Sequence, residues 1–132
     1  MACCNSTAKN PVNWFEINTT DIERAKKFYA TVLNTTFMDC QMSTGDKMSF
    51  FAGSEDCNAP NAMGCLVQHN FSKPGGNSVV VYFQCEDCQV EQDRVEAAGG
   101  KVAVPKFSIG ENGFCAICID TEGNAFGLHS MK

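Results

Sequence analysis

The first features of the chain that could do chemistry are its Cys-x-x-Cys pairs, Cys85/Cys88 and Cys115/Cys118. Four thiolates at such spacings are a ligand set for structural zinc. Their context points elsewhere. Zinc knuckles are built on tight turns, often with Gly just after the second Cys, and neither pair has one. Cys115 and Cys118 stand in the β-prone run Phe114–Ile119, where a three-residue step sends two side chains to opposite faces. Cys85 closes a strand-like run and Cys88 opens a helix-like one, so both pairs read as buried packing, the usual role of a free Cys. A thiol at a helix start is a potential nucleophile, but Glu86, Asp87 and Glu91 surround Cys88 with negative charge, which works against a thiolate. The remaining candidates are Glu16, His69 and His129. Glu16 lies two residues from Trp14 and shares its strand face, which makes it the polar residue best placed for acid/base catalysis. A nonstandard metal or acid/base site from Glu16 and His129 is one reading; a rim carboxylate paired with a Lys and a solvated strand-end imidazole are the plainer one. No phosphate-binding glycine loop, serine-nucleophile elbow or kinase signature is present.

The elements that must position these residues belong to a single domain of 132 residues. A 44% apolar and 19% charged composition supports a packed core rather than disorder. The net charge of −5 and the scattered Lys and Arg argue against a nucleic-acid groove or an anionic membrane face. Apolar runs are far too short to span a bilayer. Nine cysteines, an odd number, behind a polar N-terminus fit a cytoplasmic protein with mostly free thiols.

Val12–Asn18 is β-prone, and Thr20 and Glu23 have capping-box spacing ahead of Ile22, Ala25, Tyr29, Val32 and Leu33 at helical period. Three short strands follow, Thr36–Met42, Lys47–Ala52 and Ala62–Gln68, separated by turn-rich segments. After the linker Ser72–Asn77 the order restarts: strand Val79–Cys85, helix Asp87–Ala98 stopped by Gly99-Gly100, then strands Lys101–Val104, Phe114–Ile119 and Asn124–His129. The expectation is a flexible N-terminus over 1–10 and one domain over 11–132, with module one at 11–70, a linker at 71–78 and module two at 79–130. Each module reads βαβββ. The second helix is the weaker, because Gln92 falls where an apolar residue is expected.

Four stretches resemble the vicinal oxygen chelate superfamily, the glyoxalase/bleomycin resistance/dioxygenase group. They are Trp14-Phe15-Glu16-Ile17 running into Asp21–Ala25 and Phe28-Tyr29; Val95–Val102; Gly110–Gly113; and Asp120–Asn124. With the internal repeat they span residues 11 to 130; Thr121 stands where the family usually has Pro. The resemblance implies an α+β fold of two βαβββ modules curled into an eight-stranded cup, commonly paired as a homodimer. In many members the cup holds a divalent metal, through one ligand from the first and last strand of each module, which polarises a bound oxygen.

The resemblance places those four positions on Trp14, Gly64, Val81 and Gly127, none of which ligates a metal through its side chain. The expected cofactor is therefore none. Glycine inside a strand often marks a close approach to the backbone, so the expected site is an apolar cup lined by Trp14, Gly64, Val81, Gly127 and His129, with Glu16 as candidate catalytic group. The function this implies is binding of a small, partly apolar molecule. The alternative is a metal-dependent or acid/base lyase, isomerase or dioxygenase of the same superfamily.

Overall fold

The computed structural model describes residues 10, 12–41, 45–56, 59–70, 73–77 and 79–132. All but the last residue of the stretch expected to be flexible, and parts of the linker, lie outside these.

The two halves fold as the repeat predicts. β1 (Trp14–Asn18), α1 (Ile22–Leu33), β2 (Phe37–Gln41), β3 (Lys47–Phe51) and β4 (Met63–Gln68) form the first module. β5 (Val81–Gln84), α2 (Cys88–Val95), β6 (Lys101–Ser108), β7 (Phe114–Ile119) and β8 (Ala125–Ser130) form the second, with a 3-10 turn at Gly110–Asn112. The strands make two four-stranded sheets, ordered β1-β4-β3-β2 and β5-β8-β7-β6. β1 runs parallel to β4 and β5 parallel to β8, while the other pairs are antiparallel. Among the described residues no helix is long and apolar enough to cross a membrane.

The local chemistry differs from the sequence expectation at the start of α1 and explains the polar residue within α2. Asp21, not Thr20, caps α1, its carboxylate accepting from the Arg24 N–H at 3.1 Å. Thr20 is drawn away because its N–H and hydroxyl both donate to Glu122, 102 residues along the chain. In α2 the polar Gln92 earns its place by tying the helix to the sheet: its Oε1 accepts from the Lys106 N–H of β6 at 2.6 Å.

Both helices pack on one side of the sheets. Ile22, Ala25, Phe28, Tyr29 and Val32 of α1 and Cys88 and Val95 of α2 share a continuous core with Leu66, Phe126 and Leu128. Burial of this apolar surface is the main force holding the modules together. The Tyr29 ring lies 5.7 Å from Phe51 in the first sheet, and 5.8 and 5.5 Å from Phe83 and Phe126 in the second. The modules therefore pair within one chain, and the sheets approach where Phe15 of β1 meets Phe83 of β5 at 6.1 Å.

A polar latch reinforces this pairing. The β7–β8 turn places Asp120 and Glu122 against α1, where the Tyr29 hydroxyl donates to Asp120 at 2.6 Å and the Arg24 Nε donates to Glu122 at 2.7 Å. Burial alone would raise the Glu122 pKa. Hydrogen bonds from Arg24, the Asp21 N–H, the Thr121 hydroxyl and the Thr20 N–H outweigh it and hold the group at about 2.

Candidate functional site

Strand alternation divides each sheet into a helix-facing side and an open side. In β1, Phe15 and Ile17 join the core, so Trp14, Glu16 and Asn18 face away from the helices. In the second sheet, Phe83, Phe126 and Leu128 join the core, which turns Tyr82, Gln84, Gly127 and His129 to the open side. The Asn61 side chain, just ahead of β4, donates to Gln84 at 2.7 Å and ties the modules together on that side.

The sequence-predicted residues divide between the two sides. Trp14 lies on the open side, 39% exposed, with its indole N–H donating to the Glu16 carboxylate at 3.2 Å and its ring edge-on to Phe50 at 5.6 Å. Gly64 does not join it. A Cβ at Gly64 would stand 2.5 Å from ring carbons of Phe15, which belongs to the helix-facing side. Val81 pairs with the core residue Phe126 and also faces the helices. Gly127 does lie on the open side, but the Tyr82 ring covers it where the cup was expected to be empty. His129 has its Nε2 2.8 Å from the Asn112 carbonyl oxygen in the 3-10 turn. Among the described residues no hydrogen bond or ion pair joins it to Glu16.

A one-residue offset explains both misplacements. Ile17 opposes Leu66 in the first module and Phe83 opposes Leu128 in the second. Residue 65, not 64, is therefore the counterpart of Gly127, and each step along a strand reverses the side. Cys65 is thus the open-side residue of β4, opposite Glu16. It is fully buried, and its thiol is pushed up to about 12 by that burial and by the Glu16 charge. On the second module Tyr82 takes the place of Glu16, and Val80, just ahead of β5, takes that of Trp14.

These side chains do not fit a chelated divalent metal. Trp14 and its counterpart Val80 carry no ligating atom and Gly127 has no side chain, which leaves the facing pair Glu16 and Cys65, two ligands where a chelate needs three or four. Among the described residues no group of three or more His, Cys, Asp or Glu is arranged to hold an ion. Cys85, Cys88, Cys115 and Cys118 are buried free thiols.

Glu16 and Val81 do come together elsewhere, in a cavity of about 240 Å³ at the seam of the modules. It is also lined by Lys73–Asn77 of the linker, Tyr29, and Asn124 to Phe126. Sequence reasoning missed Tyr82, one step from Val81, and the linker's part in a cavity wall. The usable signal was Asn77 and Asn124, polar residues flanking strands with no evident turn to make.

Paired βαβββ modules with an open sheet side define a glyoxalase-like protein. The sequence profile of the Glyoxalase/Bleomycin resistance protein/Dioxygenase superfamily matches residues 12–128, and the chain belongs to that superfamily. The candidate glyoxylase CFP32 of Mycobacterium tuberculosis is 28% identical over 118 residues, which is 88% of this chain and 44% of that protein. The chain thus spans about half the length of the curated relatives it matches. Maize glyoxalase I superposes with a TM-score of 0.72 at 17% identity, over 92% of this chain and 46% of that one. TnmS3, an antibiotic binding protein from Streptomyces sp. CB03234, superposes at 0.65 and 23% identity, over 94% of this chain and 98% of that one. At such identities the structural likeness establishes the fold.

Proposed function

We propose that the chain binds a small, partly apolar molecule on the open side of β1 and β5, without a chelated metal. One observation carries this reading: Trp14 and Tyr82, 39% and 51% exposed, present aromatic surface on the open side of the two sheets, and Trp14 does so where the superfamily's first metal ligand would stand. Exposed aromatic faces with a polar handle beside them are the usual makings of a small-molecule site. Glu16 supplies the handle. The similarity to an antibiotic binding protein supports a binding role of this class. Acid/base catalysis as a lyase, isomerase or dioxygenase would rest on Glu16 alone, because His129 is directed to Asn112.

Calorimetric titration with a planar anthraquinone tests the proposal. Trp14→Ala and Tyr82→Ala should each weaken binding roughly tenfold, the effect of losing about 1.4 kcal/mol of aromatic contact. Tyr82→Ala should hardly change the thermal midpoint, since that ring is half exposed, whereas Trp14→Ala gives up the Phe50 contact and should lower it slightly. Wild-type affinity in both variants would sink the proposal.

A further inference from the structure

We infer that the seam cavity is a second binding site, for a small zwitterion that bears an ammonium and a carboxylate on an apolar body. It shares only Glu16 with the open-side site and does not depend on that reading.

The cavity has preformed walls. The Asn77 carboxamide donates to the Ala125 carbonyl at 3.0 Å and accepts from the Ala125 N–H at 3.0 Å. It thus pairs with β8 as a strand backbone would, immediately ahead of the Val81–Phe126 pair. Asn124 accepts from the Gly75 N–H at 2.8 Å and donates to the Asn18 carbonyl at 2.8 Å. These side chains staple the linker to both modules, so little ordering remains to be done on binding. Val81 and Phe126 contribute apolar wall, and the Tyr29 hydroxyl is already committed to Asp120.

The charges select the ligand. Glu16 and Lys73 both line the cavity, yet they form no ion pair with each other, and Lys73 forms none with any described residue. A simple carboxylate would meet Lys73 but also Glu16; a simple amine would meet the reverse. Only a molecule with both charges answers both groups by charge-assisted hydrogen bonds. About 240 Å³ lies below the roughly 300–1,000 Å³ of drug-sized pockets. An amino acid with a branched aliphatic side chain is of suitable size and character.

The test is calorimetry on the full chain with L-leucine, 3-methylbutylamine and 4-methylpentanoate. Leucine should bind, and each analogue, lacking one charge, should bind at least tenfold more weakly. Lys73→Ala and Lys73→Glu should lower leucine affinity by tenfold or more, yet leave the thermal midpoint and anthraquinone binding unchanged. Glu16→Gln should also weaken leucine, whereas Tyr82→Ala, outside the cavity lining, should not. Failure of leucine to bind, equal binding of either analogue, or wild-type leucine affinity in both Lys73 variants would each overturn the inference. Anthraquinone binding separates such a failure from failure of the open-side proposal.

Discussion

Glu122→Ala is expected to cost about 2–3 kcal/mol of stability, the order for losing charge-assisted hydrogen bonds to a buried carboxylate whose partner Arg24 is half exposed. The Glu122 side chain is wholly buried, and its carboxylate receives the Thr20 and Asp21 N–H groups, two hydroxyls and the Arg24 guanidinium. Truncation leaves those donors without their acceptor at the point where module two meets α1. A pH dependence follows. Folding lowers the Glu122 pKa from 4.5 to about 2, so the unfolded chain takes up the proton first as pH falls. The stabilisation is complete above pH ~5 and is lost as pH drops toward 2, on the order of 3 kcal/mol in all. Chemical denaturation at pH 7 and pH 3 should show a much smaller loss in Glu122→Gln than in the wild type. Equal pH dependence in the two would show that Glu122 does not govern the latch.

Gly64→Val and Gly127→Val, the same change at the β4 and β8 glycines, should behave oppositely. At Gly64 the new Cβ meets the Phe15 ring, which is itself set against Phe51 at 5.6 Å and Phe83 at 6.1 Å. That ring has little room to retreat, and overpacking there should cost about 2–3 kcal/mol. At Gly127 the obstacle is the Tyr82 ring, half exposed and able to swing into solvent. The cost should stay below about 1 kcal/mol, but anthraquinone binding should weaken because Tyr82 is displaced. Urea midpoints for the two variants decide it: comparable values would mean that Gly64 and Gly127 occupy equivalent surroundings.

That contrast also shows what the amino-acid pattern could and could not convey. The βαβββ repeat was legible because each module carries its own period changes and turn residues, from the helical spacing of Ile22 to Leu33 to the Gly99-Gly100 stop. The open side of β1 was legible too, since Trp14 and Glu16 alternate with Phe15 and Ile17. β4 and β5 were harder. Met63 to Val67 is apolar on both sides, so alternation gives no register, and a one-residue slip exchanges Gly64 for Cys65. In β5, Val81-Tyr82-Phe83 has the same ambiguity. The latch was hidden for another reason. Thr20 and Arg24 lie about a hundred residues from Glu122, and no local rule tells that a carboxylate in a β-turn will bind the start of a distant helix.

The most direct test of the central claim follows Trp14 emission while the anthraquinone is added, first to the protein as purified and then to the same protein after exhaustive chelation. Trp14 is the single tryptophan, so the signal reports the open side of β1 alone. Binding on that side without a chelated metal requires saturable quenching with the same midpoint in both titrations, unchanged when Zn, Ni, Mn or Fe is returned. Quenching that disappears on chelation and returns with one metal ion per chain would contradict it.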